Sequence, residues 1–374
     1  MSAPAPLAAP PRRDRGGTCA ARPEIAVYAP MKPPDHPVPS GDREIARLTM
    51  AALTEAGFAP LLVSRLRIWD GRGDPEAQAT LIQAAEAEAA RLEASLAVRR
   101  PAAWLSYHCY YKAPDLLGPL LADRLALPYA ITEPSISPKR RHGPWAGFAG
   151  RSEAAIARAD RLLWATERDR PALEAAGHAP KMHPLPPFLD AGPQVPPRPP
   201  RAELALLTVA MMRAGDKFES YRRLAAALLL LKGRWRLTVI GAGPAEAEVR
   251  RLFAPLADRI DWAGAIDNRA ALRARLAAAD LLLWPGVGEG VGMAWLEGQA
   301  AGVPVIAEDG PAARAVVAGP LVPPGDAPAF AAAVAAAAAD RVRRSAEARA
   351  RIEANHSLAA AARIFHAVLQ EIMP

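Results

Sequence analysis

Nine of the chain's 39 prolines fall between residues 180 and 200, in the run PKMHPLPPFLDAGPQVPPRPP. Proline has no amide donor and its ring clashes with the preceding turn, so such a run cannot be helix or central strand. Lying at the midpoint of 374 residues, it reads as a stiff linker between two folded units. Ten more prolines lie in residues 1–40, and residues 1–23 read as a disordered tail. A chain of this length suits two domains of roughly 100–200 residues. The expected division is a first domain at 24–190, a linker at 191–203, a second domain at 204–355 and a closing helix at 356–374.

Each half alternates short apolar runs with helical patterns, the signature of an α/β fold with parallel, doubly wound sheets. In the first half, strands are expected at 25–29, 59–64, 102–107, 129–132 and 162–166. Helices are expected at 42–56, 76–98, 115–126, 153–159 and 168–176. In the second half, the strands are 204–211, 237–240, 281–284 and 303–307, with helices at 219–231, 245–253, 269–279 and 292–301. Asp326 reads as the N-cap of a further helical region. The amphipathic stretch 358–372 is long enough to cross back to the first domain. Two such units facing each other place their ligand-binding strand ends on either side of one cleft.

Composition removes several classes. Nearly half of the net charge of +7 sits in the tail, where Arg12, Arg13, Arg15 and Arg22 face Asp14 alone. Only six of the 46 basic residues are Lys, and no long basic run follows, so nucleic-acid binding is not expected. Cys19 and Cys109 are the only thiols, which excludes a disulfide framework. No apolar run reaches the ~18 residues of a membrane span. Prolines interrupt the N-terminus where a signal peptide needs an apolar stretch. The expectation is a cytoplasmic protein, with peripheral contact at the inner face of a membrane left open.

The most informative stretch is 281–307, LLLWPGVGEGVGMAWLEGQAAGVPVIA. A buried strand ends at Pro285, a Gly-rich loop follows, and a helix begins near Gly292. Glu289 on the loop and Glu297 inside the helix are separated by seven residues. Glycines let backbone amides approach a ligand closely, and a helix N-terminus favours a diphosphate. The spacing suits a nucleotide sugar: one carboxylate for the sugar, one for the ribose diol and the diphosphate between them. Arg213 and Lys217, in MRAGDK at 212–217, stand after the second domain's first strand, where two cations can bracket a diphosphate. Gly241 and Gly243 follow the strand 237–240. A dinucleotide fingerprint would need a third glycine at position 246, which is Glu246.

This constellation resembles the donor-binding signature of family 4 retaining glycosyltransferases of the GT-B fold. The resemblance is strong in the second domain and looser in the first. It implies that Glu289 contacts the donor sugar and Glu297 holds the ribose hydroxyls. Gly290, Val291, Gly292 and Met293 would line the sugar and diphosphate. Arg213 and Lys217 would stabilise the leaving group. Gly241 would make a tight turn near the donor, and Gly264, with Trp262, Ala265 and Asp267, a base-contacting loop. In the first domain, Gly41 stands where the family has a Gly-rich loop, and His108 stands where a histidine reaches the donor sugar. The chain has Gly286 and Val291 where the family often has Ser and an aromatic residue.

Lys139, Arg140, Arg141 and His142 form a basic cluster suited either to an anionic or lipid-phosphate acceptor or simply to solvent. No two Asp are separated by a single residue and no His/Cys cluster has zinc spacing, so no metal or other cofactor is expected, the nucleotide-diphosphate sugar being a substrate. The expected activity is retaining transfer of a sugar to a glycan, lipid or small molecule. Alternatives are a nucleotide-sugar hydrolase or epimerase on the same fold, or a catalytically silent binding subunit.

Overall fold

The computed structural model describes residues 21–38, 40–193 and 201–373. Most of the expected tail, at 1–20, and the heart of the expected linker, at 194–200, lie outside the described residues.

The first unit holds β1 (Glu24–Tyr28), β2 (Ala59–Leu62), β3 (Ala103–Tyr107), β4 (Tyr129–Thr132), β5 (Arg161–Trp164) and β6 (Met182–Pro184). They form one sheet in the order β2-β1-β3-β4-β5-β6. The second unit holds β7 (Leu204–Val209), β8 (Trp235–Ile240), β9 (Ile260–Gly264), β10 (Leu281–Leu283) and β11 (Val305–Ile306), in the order β11-β10-β7-β8-β9. Every neighbouring pair is parallel. Both sheets are therefore doubly wound, with switch points between β1 and β3 and between β7 and β10. Loops leaving those strand ends diverge there and open a crevice for ligand.

Period-two patterning decides what each strand buries. In β1, Ile25 and Val27 enter the core that contains Leu48, Leu105 and Phe365. Ala26 and Tyr28 enter the opposite core with Trp104, Leu121 and Ile131. The second sheet is enclosed by one apolar cluster centred on Leu237, Leu282, Trp284 and Trp295. Helices begin where the local chemistry starts them. Ser40 caps Gly41–Glu55, Asp74 caps Pro75–Arg99, Asn268 caps Arg269–Ala278 and Asp326 caps Ala327–Ala339, each accepting from amides of the first turn. The helix Leu358–Gln370 crosses back, burying Phe365, Val368 and Leu369 against the first sheet with Leu185 and Phe188.

Three details differ from the sequence reading. Met182–Pro184, inside the proline-rich run, is an edge strand on β5, a kind of strand position that tolerates proline. The following residues Leu185 and Phe188 are core, so this part of the run is not a free spacer. The edge strand β9, IDWAG, was not among the expected strands, because only Ile260 of its five residues is fully buried. The helix expected at 153–159 spans Ala146–Arg158.

Candidate functional site

At the second sheet's switch point, the chain leaving β10 and the helix after β7 meet. The helix Asp216–Leu230 presents Lys217 on its first turn. The loop after β10 docks one turn further on, where the Val287 amide donates to Ser220 Oγ at 2.9 Å. This docking brings Glu289 onto Lys217 as an ion pair. The Trp284 indole N–H donates to the same Glu289 oxygen, Oε1, at 2.8 Å. Lys217 Nζ also lies 5.3 Å from the centroid of the Trp284 ring. Both members of the pair keep modest exposure, 23% for the lysine side chain and 14% for the glutamate, so each remains reachable from the crevice.

The Gly-rich loop is shaped by Trp295. A Cβ on Gly292, at φ +71°, would lie 2.1 Å from the indole of Trp295, and Gly286 meets the same ring equally closely. The indole N–H donates to the Trp284 carbonyl at 3.2 Å, tying the helix Met293–Ala300 to the end of β10. Gly290 is exposed with open space at its Cβ position, while Val291 and Met293 are half-buried. Gly241 serves packing: a Cβ there would lie 1.9 Å from the Ala210 carbonyl oxygen. Its amide donates to the Gly264 carbonyl at 2.8 Å, at the end of β9. Arg213 stands exposed beyond β7.

Glu297, one turn into its helix, faces a cleft with Asp190, Arg269, Leu272 and Arg273 on its walls. Burial raises its pKa, opposed by the guanidinium groups of Arg269 and Arg273 and reinforced by Glu44. Arg269 reaches across to the first unit and pairs with Glu44 at 2.8 Å.

On the first unit, His108 follows β3 in a left-handed conformation, φ 61°, and Glu133 follows β4 at φ 50°. Non-glycine residues rarely sit there, and such strain concentrates at working sites. His108 Nδ1 lies 3.0 Å from Asp42 Oδ1, on the first turn of the helix that Gly41 opens. Its ring stacks on Tyr110 with centroids 4.6 Å apart. Burial disfavours the imidazolium, but the hydrogen bond to Asp42 and the carboxylates of Glu133, Asp42 and Asp169 outweigh it, so the pKa is raised. Hydrogen bonding to His108 lowers the pKa of Asp42, while burial raises that of Glu133.

The fold thus joins Glu289 to Lys217, and His108 to the helix begun by Gly41. Lys139 stands exposed on the turn Pro138–Arg141, and Arg140 on the same turn stacks on aromatic rings. Asp42, Glu133 and Trp284 escaped the sequence reading. Asp42 and Glu133 carried a legible signal in their positions, a helix first turn and the residue just past a strand. Among the described residues, no group of three or more His, Cys, Asp or Glu side chains is placed to hold a metal ion. Nor is any helix among them long and apolar enough to cross a membrane.

Residues 204–340 match the family model described as "Glycosyl transferases group 1". No protein of curated function matches the chain by sequence. Among solved structures, the chain is similar to sucrose-phosphate synthase from Thermosynechococcus elongatus, with 19% identity and a TM-score of 0.64 over 94% of this chain and 99% of that one. It is similar to HepE from Anabaena in complex with UDP, with 14% identity and a TM-score of 0.66 over 93% and 100%. Trehalose-6-phosphate synthase OtsA aligns with 16% identity and a TM-score of 0.61 over 95% and 100%. The fold is GT-B: two Rossmann-like units of parallel sheet with a helix crossing back.

Proposed function

We propose that this GT-B chain, whose second unit is a group 1 glycosyl transferase domain, moves a sugar from a nucleotide diphosphate to an acceptor with retention of configuration, as a family 4 enzyme would. The observation that carries the reading is the Lys217–Glu289–Trp284 constellation at the β7/β10 switch point, where a doubly wound sheet takes its ligand. HepE, a similar fold, has been seen with UDP, which favours a nucleotide-linked donor here.

In this account, Glu297 takes the ribose diol, Lys217 and Arg213 take the diphosphate, and Glu289 orients the sugar. An arriving diphosphate competes with Glu289 for Lys217, which loosens the ion pair and leaves the carboxylate free to accept from sugar hydroxyls. The bond between the anomeric carbon and the phosphate oxygen then breaks. An acceptor hydroxyl attacks on the face the phosphate leaves, and its proton passes to the departing phosphate. The two cations stabilise the charge that develops on that phosphate. No metal or other cofactor enters this scheme. His108, held by Asp42, reaches the sugar from the first unit.

The test is a donor screen on the full chain with UDP-, GDP- and ADP-sugars, read by thermal stabilisation and slow donor hydrolysis. One of the three is expected to raise the melting temperature and turn over. Silence across all three would remove the proposal.

A further inference from the structure

Beyond the imidazole of His108, the loops at the C-terminal ends of the first sheet build a second feature. The Tyr110 ring that stacks on His108 contacts the Tyr111 ring with centroids 5.5 Å apart. The Tyr111 ring meets that of Trp145 at 5.8 Å and 87°, so the two form a corner. Two cations stand over both faces of this corner. Lys112 Nζ lies 5.8 Å from the Tyr111 centroid and 5.4 Å from that of Trp145. The Arg140 guanidinium lies 5.1 Å and 4.7 Å from the same two rings. Arg141, next in sequence, is paired with Glu153 at 2.9 Å. Lys112 and Arg140 have no carboxylate partner among the described residues.

The corner is held rigidly. The buried Asp70 carboxylate accepts from the amides of Arg72, Gly73 and Asp74 and from Gln78 Nε2, at 2.7–2.9 Å. Gln78 Nε2 also donates to the Pro144 carbonyl at 3.0 Å. The Trp145 indole donates to the Asp70 carbonyl at 3.1 Å, and the Asp70 amide donates to the Lys112 carbonyl at 2.9 Å. Three loops that leave three different strands are thus stitched at one residue, which holds the corner in one arrangement.

The geometry points to a subsite, formed by Tyr111, Trp145, Lys112 and Arg140, for an acceptor sugar that carries a phosphate or carboxylate group. It rests on the first unit being the acceptor side of the proposed transferase. The two rings hold both cations in place, and a neutral sugar would gain nothing from two cations that lack a carboxylate partner. An anionic substituent gains charge-assisted hydrogen bonds from both. Two perpendicular rings already covered by cations do not offer the flat row of platforms that a nucleic-acid strand stacks on.

Binding is measured on the full chain, without donor, by tryptophan fluorescence and ligand-observed NMR. The probes are glucose, glucose 6-phosphate, glucuronate and inorganic phosphate. At least one of the charged sugars is expected to bind about tenfold or more tightly than glucose. The better of the two identifies the anionic group. A Lys112→Gln/Arg140→Gln variant is expected to lose that preference while keeping the wild-type melting temperature. Glucose binding as well as both charged sugars, inorganic phosphate binding as well as glucose 6-phosphate, no binding by either charged sugar, or a double variant that keeps the preference would each overturn the subsite. Stabilisation by nucleoside diphosphates, run on the same preparations, reports the second unit separately. Its absence would sink the donor reading and leave the sugar titration to stand or fall alone.

Discussion

Glu289 and Lys217 lie 72 positions apart in sequence, yet one hydrogen bond from a loop amide to Ser220 sets their encounter. Glu297 does different work. Its neighbours Arg269 and Arg273 hold part of its charge, and the ribose diol is its proposed ligand. Glu297→Ala should weaken nucleoside diphosphate binding by about tenfold. Unchanged affinity by calorimetry would remove its ribose role. For His108, the raised pKa makes its stabilising contribution complete below the unfolded value of about 6.5. That contribution is lost as pH climbs through the folded pKa. Asp42, with a lowered pKa, contributes fully above about 3.9 and loses its share as pH falls through its folded value. The pair is therefore strongest between those limits. Asp42→Asn should lower the His108 pKa in an NMR titration, because burial then meets less opposition. A pKa left where it was would show that Asp42 does not set it.

At the scale of elements, the apolar strands were legible because burial on both faces leaves a continuous hydrophobic run. Residues 129–132 coincide with β4, and the helix start at Asp326 was readable from its cap. What failed to show was written in partners. The edge strand β9 has polar and half-buried positions, and β6 is strand only because β5 lies beside it. The same holds for the site. The Glu289/Glu297 spacing is a local pattern, whereas the contacts of Trp284 with Glu289, and of Asp42 with His108, exist only after the strands are ordered. The crossing helix was expected, and its anchor is now explicit: Phe365 is fully buried in the first unit's core. Phe365→Ala should cost about 3–5 kcal/mol. A melting temperature within a degree of wild type would mean the helix contributes little to that core.

The whole molecule sets one doubly wound sheet across from another. Arg269, at the start of a second-unit helix, pairs with Glu44 on the helix whose first turn holds Asp42. Both side chains are partly exposed, 45% and 24%, so the pair should add under about 1 kcal/mol to stability. Its consequence is for the arrangement of the two units. Arg269→Ala should leave the thermal midpoint nearly unchanged and alter the radius of gyration measured by X-ray scattering. A large fall in the midpoint with no change in scattering would assign the pair to folding alone. The central claim is that an anomeric bond is broken and remade at the centre built by Glu289 and Lys217. The direct measurement is proton NMR of the first sugar released or transferred from an α-linked nucleotide sugar, for the wild type and for Glu289→Gln. The account predicts an α-configured initial product and a rate lower by about a hundredfold or more in the variant, with nucleotide affinity nearly intact. A β-configured initial product, or a variant as fast as the wild type, would contradict it.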